Sequence, residues 1–205
     1  MRKFALPGGL PLHIIAILSL LASPAWSAGP TEQVKSAVDE AVKILSDPKL
    51  EGEAKKKERR RLLRNAIFLR FDFHEMAQRS LGAHWRRRTP QEQKEFVGIF
   101  TDLLEKAYVD RIESYTDEKF IYTGERIERN YAEVSSKVLT SKGEEFKIDY
   151  RLHRVRGEWK IYDVVVENIS LVNNYRSQFN RVINNSSYEE LVSRMKQKVL
   201  KTTNN

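Results

Sequence analysis

The sequence contains no cysteine, so it holds no disulfide, no thiolate zinc site and no thiol to accept a lipid anchor. It also lacks a Gly-x-Gly-x-x-Gly or Walker-type phosphate loop, a Gly-x-Ser-x-Gly elbow and a His-Glu-x-x-His helix, the usual nucleotide, hydrolase and metalloprotease signatures. Histidine is scarce, and His74, His84 and His153 lack the i,i+4 spacing that would set two imidazoles on one helical turn. After residue 27 no apolar run approaches the roughly 20 residues that cross a bilayer.

The first 27 residues do carry a pattern. Arg2 and Lys3 precede a largely apolar stretch from Leu10 to Leu21, and Ala25-Trp26-Ser27 offers small residues at the two positions that determine cleavage. A secretory leader cut after Ser27 is expected, because a cut after Ala28 would put bulky Trp26 three residues before the bond. A membrane anchor is the alternative, weakened by His13 and two early prolines, which leave too short an apolar span. The leader holds no acid, so its loss takes the 36 basic residues to 34 against 28 acidic ones and the formal charge from +8 to +6. That moderate surplus favours anionic surfaces.

From there the chain reads as one domain, 28–205, that begins helical. Val34, Ala37, Val38, Ala41 and Leu45 follow the 3.6-residue period, with Thr31 as a candidate cap and Asp47-Pro48 as the stop. A dense basic stretch, Lys55 to Lys57 and Arg59 to Arg61, precedes Leu62, Leu63, Ile67 and Phe68; it is either a solvated face offset by Glu53 and Glu58 or a contact for headgroups or a partner. Gly82 ends one helix and Thr89-Pro90-Gln91-Glu92 opens another, combining an N-cap threonine, proline at the first helical position and a capping-box glutamate. Phe96, Val97, Phe100, Leu103, Leu104, Ala107, Tyr108 and Ile112 give that helix a broad apolar stripe to about Ser114.

Beyond Phe120 the period shortens to two. Residues 119–123 form a short strand and 132–140 a weaker one, with a turn at Ser141-Lys142-Gly143. Phe146, Ile148, Tyr150 and Leu152 alternate with Lys147, Asp149, Arg151 and His153, which predicts one dry and one wet face. Arg156-Gly157 then turns the chain into 159–166, an apolar strand covered on both sides and expected to be central, with Trp159, Ile161, Asp163 and Val165 on one face. The strand ends at Glu167-Asn168, Ser170 caps a helix carrying Leu171, Val172, Tyr175, Phe179, Val182 and Ile183, and Ser187-x-x-Glu190 opens a last one.

No set of residues specifies catalysis. Asp163 on an apolar strand needs a partner, and Arg176 or a tyrosine is the expected one; a catalytic carboxylate is the sharper alternative. Aromatic and basic residues are both plentiful, yet they do not interleave as in nucleic-acid binders. Four or more amphipathic helices and an antiparallel sheet offer much apolar surface, which can close on a solid core or on a cavity.

Leu81-Gly82-Ala83-His84-Trp85, then Thr89, Gln93 to Phe96, Phe100, Leu103, Leu104 and Tyr108, then Trp159 to Val164 and Ile169 to Phe179, resemble the MlaC, or toluene-tolerance, family of periplasmic phospholipid-binding proteins. The resemblance spans nearly the whole chain after the leader and departs at Glu167-Asn168, where the family commonly has Glu-Gly. It implies an α+β fold of the nuclear transport factor 2 type, a curved antiparallel sheet wrapped by helices around a deep apolar pocket. It further implies a non-enzymatic carrier in the periplasm of a Gram-negative bacterium, needing no cofactor and holding phospholipid as cargo. Such a carrier shuttles lipid between the outer and inner membranes and maintains outer-membrane lipid asymmetry. Its implied partners are an inner-membrane ABC transporter complex with an MCE-domain subunit and an outer-membrane lipoprotein–porin complex; it is expected to act as a monomer and to bind no nucleic acid. Candidate pocket residues are Phe100, Leu104, Tyr108 and Tyr175 on helices and Phe146, Ile148, Tyr150 and Val165 on strands, with plain core as the rival role for each. The competing classes are an enzyme of the same fold using Asp163 or His153 on a hydrophobic substrate, and a pocketless adaptor.

Overall fold

A computed structural model of the chain describes residues 28–114 and 118–201, so the expected leader and its cleavage point lie outside the described residues. Helix α1, Pro30–Leu45, opens with Pro30 in its first turn after Gly29, two residues earlier than a Thr31 cap would set it. Proline suits that position because it has no N–H to leave unbonded. Thr31 instead donates from its backbone N and its hydroxyl to the Glu125 carboxylate, at 2.9 and 2.6 Å. Two short 3-10 turns, Pro48–Leu50 and Glu53–Lys55, lead to α2, Lys56–Phe68.

Helix α2 buries only Leu63, and its basic side chains are largely paired. Glu58 and Glu53 meet Lys55 and Lys56, as the sequence suggests. More of the compensation comes from α4, Pro90–Glu113: Arg59 and Arg60 share Glu113 at 3.1 and 2.7 Å, and Arg64 meets Glu105 at 2.8 Å. Between α2 and α4 run α3, Phe73–Leu81, and a 3-10 turn, Gly82–Arg87. The capping box of α4 forms as read: the Glu92 N–H donates to the Thr89 hydroxyl at 3.2 Å and the Thr89 N–H to the Glu92 carboxylate at 2.7 Å.

Five antiparallel strands follow in the order β1-β2-β3-β4-β5: Lys119–Glu128, Tyr131–Leu139, Glu145–Val155, Glu158–Val166 and Ile169–Ser170. The first runs five residues past its expected end. Residues 124–128 are too polar to signal a strand because β1 is an edge, and a bulge lies between Tyr122 and Gly124. The β4 strand is not central in this order; its outer side is sealed by two-residue β5 and by a parallel bridge from Phe71 to Ile161. Helices α5, Leu171–Asn185, and α6, Tyr188–Lys201, close the chain.

The face assignment of β4 also changes. Arg151 pairs with Asp163 but Leu152 pairs with Ile161, so Tyr162 is an extra residue on β4. An inserted residue reverses the alternation beyond it. Trp159 and Ile161 therefore share the face of Leu152, Val164 and Val166 share the face of Tyr150 and Ile148, and Asp163 and Val165 turn to the reverse face with Arg151 and Asp149. The predicted wet face of β3 is accordingly covered at its middle, where Asp149 is buried and pairs with Lys147 at 3.0 Å.

Candidate functional site

Buried apolar side chains gather in separate clusters. One is carried by helices: Met76 and Leu81 of α3, Phe96, Phe100 and Leu104 of α4, Tyr175 and Phe179 of α5, and Leu191 and Met195 of α6. Its centre is aromatic, with Phe100 edge-on to Tyr175 and Phe179 at 5.4 and 5.9 Å between ring centroids. A second joins Val34 of α1 to the sheet through Val134, Tyr150, Leu152, Trp159 and Ile161. Among the described residues Phe71 is the side chain that packs against both. A third, smaller cluster joins α1 and α2 through Ala41, Ile44 and Leu63. A single fold of this size ordinarily shows one contiguous core, so the division is informative.

The sheet face that bears the second cluster stays apolar beyond it. Ladder partners share a face, which sets Tyr122 beside Ser136, Val138 beside Phe146, Ile148 beside Val166 and Tyr150 beside Val164. Under α1 this face is buried, but at its far end Phe146 is 40% and Val166 42% exposed, with Ile148 half-buried between them in sequence.

Of the eight candidates, Phe100, Leu104 and Tyr175 are buried in the helical cluster and Tyr108 stands half-buried at its margin. Ile148 and Tyr150 belong to the sheet cluster, and Phe146 lies on the same face at its exposed end. Val165 is buried on the reverse face, so the structure does not bring it together with Ile148 and Tyr150. Sequence reasoning missed Tyr122. Its hydroxyl is buried with no hydrogen-bond partner among the described residues, and burial raises its pKa. Burial likewise pushes Tyr150 and Tyr175 up to about 12 and raises Tyr108, so all four keep a neutral hydroxyl at any ordinary pH. Tyr122 shows in the sequence only as one aromatic in a short strand, and its face is set by a register that periodicity does not give.

The two candidate acid–base residues are occupied structurally. Asp163 Oδ1 accepts from the Val172 N–H at 3.0 Å, while Oδ2 accepts from the Ser170 hydroxyl at 2.6 Å and Arg151 Nη1 at 3.3 Å. The Ser170 oxygen in turn accepts from the Asn173 N–H, so Asp163 fastens the start of α5 to β4. The expected partner Arg176 is elsewhere, packed against Gly82. His153 Nε2 lies 3.0 Å from Asp72 Oδ2, and the other Asp72 oxygen caps α3 by accepting from the Glu75 N–H.

Comparison with known proteins agrees with this architecture. A Ralstonia solanacearum phospholipid-binding protein, solved in complex with a phospholipid, superposes with a TM-score of 0.75 over 86% of this chain and 99% of its own, at 27% identity. The Haemophilus influenzae intermembrane phospholipid transport system binding protein MlaC is 20% identical over 143 residues, 67% of each chain. Toluene tolerance protein ttg2D of Pseudomonas putida is 26% identical over 95 residues, 46% of this chain and 44% of its own. The MlaC protein family model matches residues 35–197, from the first turns of α1 into α6, and the chain belongs to the MlaC family.

Proposed function

We propose that this protein is a periplasmic phospholipid carrier whose acyl-chain site lies between the apolar sheet face and helix α4. The observation that carries this reading is the divided core, with an apolar sheet face that continues past its buried part to exposed Phe146 and Val166. Apolar residues so placed are costly in water and well used against hydrocarbon. The phospholipid bound by the Ralstonia protein of the same fold supports the choice of ligand.

Two acyl chains hold on the order of 30 methylenes, each worth about 0.8 kcal/mol when removed from water, so unassisted diffusion between membranes is negligible. The membrane already provides that stabilisation. Transfer into the protein exchanges one hydrocarbon environment for another and leaves a small bias that docking can tip either way. On this reading the exchange runs between the outer membrane and an inner-membrane ABC transporter bearing an MCE-domain subunit, with a lipoprotein–porin complex on the outer side and outer-membrane asymmetry as its result. Phospholipid is then cargo and no cofactor takes part. An enzyme using Asp163 or His153 is disfavoured because both side chains are committed to bonds that hold helices to the sheet.

Native mass spectrometry of protein gently purified from a bacterial periplasm, followed by lipid extraction, tests the proposal. The expected result is one glycerophospholipid adduct per chain; protein recovered intact and empty overturns it.

A further inference from the structure

Arginines collect without acids on one surface. The 3-10 turn Gly82–Arg87 carries His84, Arg86 and Arg87, and α5 carries Arg176 and Arg181; neither element contains Asp, Glu or Lys. Many basic side chains elsewhere are paired, as Lys35 with Asp39, Arg79 with Glu75, Arg194 with Glu190 and Lys196 with Glu95. Among the described residues Arg86, Arg87, Arg176 and Arg181 are exposed and have no ion-pair partner.

The two elements are locked together. Gly82 has φ +56°, and a Cβ there would lie 2.8 Å from Arg176 Nε, so the guanidinium lies against bare backbone. His84 Nε2 is 2.9 Å from Asn180 Oδ1, and Trp85 is buried beneath the turn. The arginines are therefore presented from a fixed frame, which reduces the ordering cost of binding. Around them α5 exposes Asn173, Asn174, Ser177, Gln178, Asn180 and Asn184.

We propose that the surface formed by residues 82–87 and α5 docks an acidic protein surface, with Arg86, Arg87, Arg176 and Arg181 binding its carboxylates. Its chemistry separates this partner from a membrane. Interfaces between proteins enrich arginine and deplete lysine and glutamate, as here, whereas membrane-surface patches add lysines and exposed apolar side chains, which α5 lacks on its outer face. Bidentate binding of carboxylates suits arginine in particular. The inference goes beyond the carrier reading and stands on this surface alone.

The test places a photocrosslinking amino acid at exposed Ser177 in the full chain, expressed in its bacterial host, and sequences the adducts. The expected adduct is a protein whose crosslinked segment is rich in Asp and Glu. Its yield should fall by about tenfold in Arg86→Glu/Arg181→Glu and return when the partner's acids are changed to Lys. Vesicles of phosphatidylethanolamine and phosphatidylglycerol are the competing probe and should bind parent and variant alike. Arginine-dependent vesicle binding, adducts to lipid alone, a protein adduct indifferent to the charge reversal, or no adduct each overturns the proposal. Lipid content is measured on the same preparations: an empty parent protein refutes the carrier while leaving the docking result to stand by itself.

Discussion

Arg151 on β3 stands opposite Asp163 on β4, its Nη1 3.3 Å from the aspartate Oδ2, because Tyr162 is an extra residue that turns Asp163 to the reverse face of the sheet. Asp163 is 3% exposed and accepts three hydrogen bonds, two of them from the start of α5. Replacing it with Ala leaves the buried Ser170 hydroxyl and Val172 N–H without their acceptor, while Arg151, partly exposed, keeps Glu133. A loss of about 3–5 kcal/mol is expected in urea unfolding, with Asp163→Asn costing less. Below its unfolding midpoint the Asn variant should still hold and transfer lipid. A stability change under about 1 kcal/mol for the Ala variant contradicts the strut role.

That pair also marks where sequence reasoning stops. Local signals were legible: the Thr89–Glu92 box, the left-handed Gly82, the Arg156-Gly157 turn and the Ser170 cap all follow from side chains within a few residues of each other. A bulge has no such signature. Strict alternation through Trp159 to Val166 puts Asp163 with Trp159, and only the ladder with β3 reveals the extra residue. The choice of Arg151 over Arg176, and the pairing of Glu113 with Arg59 and Arg60, are contacts between distant segments and have no local trace. The candidate site divides the same way. Buried stripe positions such as Phe100 and Tyr175 were readable, while Tyr122 and the reversal of Val165 depend on register.

Gly82 joins two constraints, a φ of +56° with ψ −126° and the close approach of Arg176. Gly82→Ala should cost about 1–3 kcal/mol, because an L side chain is strained in that region and its Cβ meets the guanidinium. Adding Arg176→Ala removes the clash but leaves the strain. Chemical unfolding of both single variants and the double variant should therefore show partial recovery; full additivity would mean that the two residues do not press on each other.

Stability should decline at high pH through Tyr150. Burial pushes its hydroxyl up from 10.0 to about 12, so the folded state keeps a proton that the unfolded chain gives up near 10. The contribution is complete below pH 10 and is lost as pH rises towards 12, by about 1.4 kcal/mol for each unit between the two pKa values. Tyr150→Phe should flatten the fall of the urea midpoint across that window. Parent and variant curves that stay parallel from pH 9 to 12 would remove Tyr150 as the cause.

Pocket and core can be separated by measuring cargo and stability on the same variants. Phe100 is fully buried among aromatic rings, so Phe100→Ala should cost about 3–5 kcal/mol through the cavity it leaves. Ile148 and Tyr108 are half-buried at the margins of the two apolar clusters and have less contact to lose. Ile148→Glu sets a carboxylate on the apolar sheet face, where in the folded protein it can still reach water but opposes an acyl chain. It should lower the phospholipid-to-protein ratio of purified material by at least about threefold while costing under about 2 kcal/mol in stability. Tyr108→Ala should act in the same direction more weakly. If Ile148→Glu and Tyr108→Ala both leave the phospholipid-to-protein ratio unchanged in folded protein, the acyl chains do not lie between α4 and the sheet.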